Sequence, residues 1–169
     1  SPPMPNVPGT TSGLAPCEYK FFNTALSFAA AEAACQSQGL EMAIFMDAAD
    51  NAAGLATVPT DGSTVSSVAW IGAHDQTTEG SWTWLPNNIP ATYTNWAPGE
   101  PNTFEEGQED CTVMKTWNGQ WNDIGCSNTF AYICENADQC PKYFPAPPPT
   151  APPSNPVTIP EAPVSPPPL

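Results

Sequence analysis

Apolar positions between residues 17 and 140 come in short bursts, and the spacing within each burst predicts an element. At residues 18–22 the aromatic Tyr19 and Phe21 alternate with their neighbours, which predicts a first strand. Ser27 then opens Phe28-Ala29-Ala30-Ala31-Glu32-Ala33-Ala34-Cys35. Alanine has the best helix propensity, so this run predicts a helix that stops by Gly39 and carries Cys35 near its end, facing the core. A second helix starts near Asp47 and runs through Asp50-Asn51-Ala52-Ala53 toward Leu55, ahead of a loop with Pro59-Thr60-Asp61-Gly62. Residues 68–72 form an apolar run bounded by turn residues, as a buried strand does, and residues 81–85 alternate polar and apolar. Residues 86–108 hold four prolines and two glycines with no sustained apolar period, which predicts a long structured loop. Residues 111–117 and 121–124 are strands joined by Asn118-Gly119, a strong hairpin signal, and residues 130–135 close the domain. Strands interrupted by two helices define an α+β class.

Composition divides the chain further. The 23 prolines crowd before Cys17 and after Cys140, so the expected layout is an arm over residues 1–16, one domain over 17–140 and a tail over 141–169. Proline repeats force the tail toward polyproline II, and at about 3.1 Å per residue its reach is on the order of 85 to 90 Å. Two readings of the tail stand side by side. One is a passive stalk. The other is an interaction arm that docks on a neighbouring subunit, giving a homo-oligomer or filament, or that carries sugar on its prolines, serines and threonines as a glycoprotein does. No Asn-x-Ser/Thr acceptor is present.

Charge and cysteines exclude several classes. Lys20, Lys115 and Lys142 stand against 17 acidic residues, a net charge of −14 that repels nucleic-acid phosphates and anionic lipid headgroups. Most of these carboxylates read as a solvated surface, and some as holders of a divalent cation. The six cysteines lack paired C-x-x-C knuckles, so disulfides and an oxidising, extracellular location are expected. No apolar run has the length of a membrane span, and the opening Ser1-Pro2-Pro3 reads as a mature secreted chain without its leader. No nucleophile elbow, His-Glu-x-x-His or phosphate loop is present, so an enzyme is not expected. His74 reads as an ordinary loop residue. Strand alternation places most of Trp82, Trp84, Trp96, Trp117 and Trp121 in the core.

Four local patterns then coincide in order: Trp70-Ile71-Gly72 in a buried strand, Glu100-Pro101-Asn102 in the long loop, Trp121-Asn122-Asp123 after the hairpin, and cysteines at 111, 126 and 134. With Cys35 they make the chain resemble the C-type lectin-like domain over nearly all of residues 17–140. That resemblance implies two helices and two small antiparallel sheets with a long calcium-binding loop. It also implies Cys35–Cys134 and Cys111–Cys126 bridges, contributing about 4 to 5 and about 3 kcal/mol in the chain-entropy model. Cys17 and Cys140 are left over, for a third bridge that clamps the two ends or for an intermolecular one.

The resemblance further implies a Ca2+ held by Glu100, Asn102, Glu109, Asn122 and Asp123, with the bond before Pro101 in cis. The same five residues would bind two adjacent sugar hydroxyls. In the family, Glu-Pro-Asn goes with mannose, fucose and N-acetylglucosamine rather than galactose. Asp75, Glu79, Glu109 and Asp110 match an auxiliary calcium site, although Thr103 stands where the family often has an acid, with Glu105 and Glu106 as available substitutes. The functional expectation is an extracellular calcium-dependent lectin that binds glycans. The alternatives are a fold that has lost its ion, a structural subunit of an extracellular fibre or wall assembled through its arms, and, with nothing favouring it, an ice-binding member.

Overall fold

Ser27 both ends a strand and starts a helix. Its backbone is extended (φ −67°, ψ 162°) and its hydroxyl accepts from the Ala30 amide at 3.4 Å, which satisfies one of the amides a helix start leaves bare. In the computed structural model, which describes residues 17–102 and 109–140, the strand before it is β1 (Tyr19–Leu26) and the helix after it is α1 (Phe28–Ser37). Phe28, Ala31 and Cys35 form the buried stripe of α1, and Gly39, at φ +71°, turns the chain just past its end. Asp47 caps α2 (Ala48–Ala56) by accepting from the Asp50 amide at 2.9 Å, while the Asp50 carboxylate accepts from the Met46 amide at 2.9 Å.

The strands are β2 (Glu41–Met42), β3 (Val68–His74), β4 (Thr83–Trp84), β5 (Ile89–Pro90), β6 (Cys111–Lys115), β7 (Trp121–Ile124) and β8 (Phe130–Glu135), and a 3-10 turn at Ala137–Gln139 follows. Strand β8 pairs antiparallel with β1 (Phe22 opposite Tyr132) and with β2 (Met42 opposite Cys134). Strand β3 pairs antiparallel with β4 and β6, and these carry β5 and β7 outward. The expectation of two small antiparallel sheets needs one correction. The two antiparallel groups are joined by a parallel pairing of β3 with β8, Trp70 opposite Tyr132, into one mixed sheet. Both strands are buried along almost their whole length, and parallel pairs favour such strands, apolar on both faces.

Three other differences have local causes. β1 runs four residues past the expected 18–22, through a register shift between Phe22 and Leu26. β2, β4 and β5 are two-residue strands, too short to show a period, and β5 lies in what reads as loop. β6 stops at Lys115 because residues 116–120 form the turn, with Gly119 at φ +74° and its amide donating to the Lys115 carbonyl at 2.9 Å.

All three bridges close within the chain: Cys17–Cys140, Cys35–Cys134 and Cys111–Cys126. One core cluster holds Ile44, Phe45, Trp84, Met114, Trp121 and Ile133, and a second holds Phe28, Met42, Trp70 and Val113 around the Cys35–Cys134 bridge. Of the five tryptophans expected mostly inside, Trp84 and Trp121 are fully buried, Trp82 and Trp96 are half-buried, and Trp117 is 62% exposed on the hairpin turn. His74 is likewise not a loop residue: it ends β3 and is 4% exposed. Residues 1–16 and 141–169, the proline-rich arms of the sequence reading, lie outside the described residues.

Candidate functional site

The long loop is held to β7 by its backbone. The Trp121 amide donates to the Asn95 carbonyl at 2.8 Å, and the Ala97 amide donates to the Trp121 carbonyl at 2.9 Å. The Trp96 ring lies edge-on to Trp121 at 5.7 Å. From this anchor the chain turns through Gly99 (φ +87°), with the Glu100 amide donating to the Ala97 carbonyl at 2.9 Å, and enters a cis Glu100–Pro101 bond. A cis bond is tolerable here because proline removes most of the trans preference. The turn delivers the Asn102 amide to the Asp123 carboxylate, at 3.2 and 3.1 Å from its two oxygens.

Asp123 sits on β7, 1% exposed, with Asn122 beside it donating from its side-chain amide to the Asp123 carbonyl at 2.9 Å. Glu100 faces Asp123. Burial raises the Glu100 pKa above the usual carboxylate range, the Asp123 carboxyl raises it further, Glu109 adds to the rise, and Lys115 offsets part of it. One Glu100 carboxylate oxygen is buried with no hydrogen-bond partner among the described residues. Crowded carboxylates, amide side chains and an orphaned buried oxygen form an all-oxygen donor set suited to a hard divalent cation, so these residues fit calcium. Glu100, Asn102 and Asp123 are therefore brought together, Asn122 adjoins them in sequence, and Glu109 acts on Glu100 through its charge. Thr103, Glu105 and Glu106 lie outside the described residues.

A second acidic group sits at the end of β3. Carboxylate oxygens of Asp75, Glu79 and Asp110 lie within 4.8 Å of one another, and Glu109, expected in this set too, stands outside that group. The turn that gathers them runs from Asp75, whose carboxylate accepts from the Gly80 amide at 2.8 Å and whose own amide donates to the Asp110 carbonyl at 3.1 Å. Asp75 is 3% exposed, and its other carboxylate oxygen has no partner among the described residues. Burial, opposed in part by the Gly80 amide, raises its pKa, and Glu79 and Asp110 add to the rise. Beside this group opens a cleft of about 420 Å³ lined by Gln76, Glu109, Asp110, Ile124, Gly125 and Asn128.

Sequence reasoning missed the supports behind these groups. Asn51 of α2 accepts from the Trp121 indole N–H at 2.7 Å and donates to the Gly119 carbonyl at 3.1 Å, and Asn95 donates to the same carbonyl at 2.8 Å. These contacts fix α2, the hairpin and the long loop together, and nothing in the local sequence marks either asparagine. Behind Asp75, burial lowers the His74 pKa below its ordinary value, opposed in part by the Asn88 side chain and the Asp110 carboxylate.

Comparison with known proteins shows the family and the fold. The Lectin C-type domain family model matches residues 24–136, more than half of the chain, and the chain belongs to that family, a non-enzymatic, carbohydrate-binding group. It is 33% identical over 124 residues to the alpha-N-acetylgalactosamine-specific lectin of Patiria pectinifera, covering 69% of this chain and 72% of that one. It is 41% identical over 71 residues to salivary C-type lectin 2 of Aedes albopictus, covering 39% of this chain and 46% of that protein, so the match spans less than half of that relative. Among solved structures it resembles the C-type carbohydrate-recognition domain of cow CD23, determined in the presence of a GlcNAc2Man3 oligosaccharide. The TM-score is 0.60 at 29% identity, over 69% of this chain and 84% of that one. Among the described residues, no helix is long and apolar enough to cross a membrane.

Proposed function

We propose that this chain is an extracellular, calcium-dependent lectin whose primary site is Glu100, Asn102, Glu109, Asn122 and Asp123 and whose sugar class is mannose, fucose or N-acetylglucosamine. The observation that carries this is the meeting of the Glu100 and Asp123 carboxyl groups, with one buried Glu100 oxygen unpartnered among the described residues. Calcium, when bound, supplies the charge that offsets these carboxylates and open positions for two sugar hydroxyls. The carboxylates accept hydrogen bonds from those hydroxyls and the Asn102 and Asn122 amides donate to them. Glu-Pro-Asn sets the order of acceptors and donors along the loop, which is the basis for the sugar class. The trio Asp75, Glu79 and Asp110 is proposed as an auxiliary calcium site, supported by its convergence and by the orphaned Asp75 oxygen.

The test is calorimetric titration of calcium and then mannose into chelator-treated protein. Saturable calcium uptake, followed by mannose binding at a Kd on the order of 1 mM, is expected for a shallow monosaccharide site. The double substitution Glu100→Gln/Asn102→Asp should abolish the mannose heat. Absence of calcium uptake would sink the proposal, and calcium-dependent binding of galactose or N-acetylgalactosamine in place of mannose would overturn the sugar class.

A further inference from the structure

The largest exposed aromatic among the described residues lies away from these acids. Trp117, 62% exposed, stands on the turn between β6 and β7, with the Lys115 ammonium 5.8 Å from its ring centre. Between this turn and the end of α2 runs a mainly apolar groove of about 340 Å³, walled by Ala52, Leu55, Ala56, Val58, Thr116 and Trp117. Its two walls are fixed before anything binds. Asn51 clips α2 to the Gly119 carbonyl at 3.1 Å, and the Thr116 hydroxyl donates to the Ser67 carbonyl at 2.9 Å. A rigid, aromatic-edged groove of this kind is the surface that receives polyproline II segments, which arrive already extended and lose little entropy on docking.

We propose that the groove is the docking site for the chain's own proline-rich segment, residues 145–169. Three observations select this occupant. The described chain ends at Cys140, whose bridge to Cys17 belongs to the same core cluster as Val58 of the groove wall, with Leu55 packed against that cluster. From there the segment 141–169 needs only a fraction of its extended length, on the order of 90 Å, to reach across one small domain, and tethering places it at an effective concentration of about millimolar. Charge selects it as well. Within 145–169 the only charged side chain is Glu161, so this segment is nearly uncharged on a chain of net charge −14, whereas an acidic peptide would be repelled.

The experiment uses the full chain with 5-fluorotryptophan at its six tryptophans and reads fluorine NMR, with Trp117 assigned through Trp117→Phe. Replacing Pro147, Pro148, Pro149, Pro152 and Pro153 with serine should move the Trp117 resonance to a solvent-exposed position while Trp70, Trp84 and Trp121 stay in place. A synthetic 145–169 peptide should then restore the shift saturably in the substituted chain and leave the wild-type spectrum nearly unchanged. Adding Trp117→Ala to the substituted chain should weaken that peptide at least about tenfold in a calorimetric titration, as for an aromatic anchor at the centre of a contact. Hydroxyl-radical footprinting of the unmodified chain gives a variant-free check, and Trp117 should oxidise more slowly than a free indole. An unchanged Trp117 resonance, or oxidation at the free-indole rate, overturns the proposal. A Trp117 shift that disappears on dilution of the wild-type chain also overturns it, because the occupant would then be the tail of a second copy.

Discussion

Asn51 makes a demanding test of how the site is supported, because its two hydrogen bonds differ in what their loss leaves behind. It is 6% exposed, its side-chain oxygen accepting from the Trp121 indole at 2.7 Å and its amide donating to the Gly119 carbonyl at 3.1 Å. Asn51→Leu keeps nearly the same volume, so the cavity cost is small. The Trp121 N–H, however, loses its acceptor inside a wall of Phe45, Trp84, Tyr93 and Trp96, a desolvation penalty of about 1 to 3 kcal/mol. The Gly119 carbonyl keeps Asn95 at 2.8 Å, so the second bond costs only about 0.5 to 1 kcal/mol. Against this, added apolar contact and leucine's better helix propensity return about 1 kcal/mol. The expected net loss is about 2 kcal/mol, or a melting temperature lower by about 6 to 10 °C for a domain of this size. Asn95→Ala alone should cost less. The double variant should cost about 1 kcal/mol more than the sum, because only then is the Gly119 carbonyl left bare. Urea denaturation of the chelated protein with its disulfides intact reads all three values. A loss under about 0.5 kcal/mol for Asn51→Leu, or strict additivity with Asn95→Ala, would refute this account.

Two further predictions follow from buried groups elsewhere. Burial lowers the folded-state pKa of His74 below its ordinary value of 6.5, so the folded chain binds fewer protons than the unfolded one just below that pH. Stability associated with His74 is therefore fully present above about pH 6.5 and lost progressively as the pH falls from there through the lower folded-state pKa. The raised carboxyls of Asp75 and Glu100 act in the opposite sense, stabilising the metal-free fold as the pH falls, but equally in wild type and His74→Gln. The melting-temperature gap between the two chains should thus change between pH 7.5 and 5.5, and a constant gap would show that His74 does not titrate this way. Gly54→Ala tests packing against propensity: alanine gains about 1 kcal/mol in a helix, yet its Cβ would stand 2.5 Å from the ring of fully buried Phe45. Overpacking outweighs the gain by roughly 1 to 2 kcal/mol, so the variant should melt lower, and a higher melting temperature contradicts the stated geometry.

The parts of the fold legible in the sequence are those that short-range physics decides. Ser27 and Asp47 cap helices through their own side chains, and Asn118-Gly119 turns the hairpin because Gly119 adopts a positive φ at little cost. Residues Val68–His74 and Phe130–Glu135 read as buried strands because they are apolar along their length. That they lie side by side in parallel could not be read, since a parallel pairing joins segments more than fifty residues apart and leaves no local period. The same reason hides Asn51, whose partners are 68 and 70 residues away. The expected strand over 111–117 overruns β6 by two residues, because the turn that starts after Lys115 leaves no local break in the alternation. His74 was misread because β3 runs two residues beyond the apolar run, and burial there does not depend on the residue being apolar. The site residues themselves were legible only as a resemblance of motifs, since no local rule says that Glu100 and Asp123 should face each other.

Their facing each other has a consequence for how the site is built. Backbone hydrogen bonds among Asn95, Ala97 and Trp121 set the path of the loop, and the Asn102 amide donates to the Asp123 carboxylate, so the geometry over residues 95–102 is specified mainly by main-chain groups. The charges work against that geometry, because Glu100 is both buried and pressed by Asp123. On the proposed reading, a scaffold that holds Glu100 and Asp123 together, with Lys115 offsetting only part of their repulsion, is preorganised for a cation, whose binding would relieve that repulsion. Asn51 matters to this arrangement because it fixes Trp121, the residue whose backbone holds the loop and whose neighbours in β7 are Asn122 and Asp123. Loosening it should therefore weaken calcium binding as well as the fold, without any change to an acidic residue.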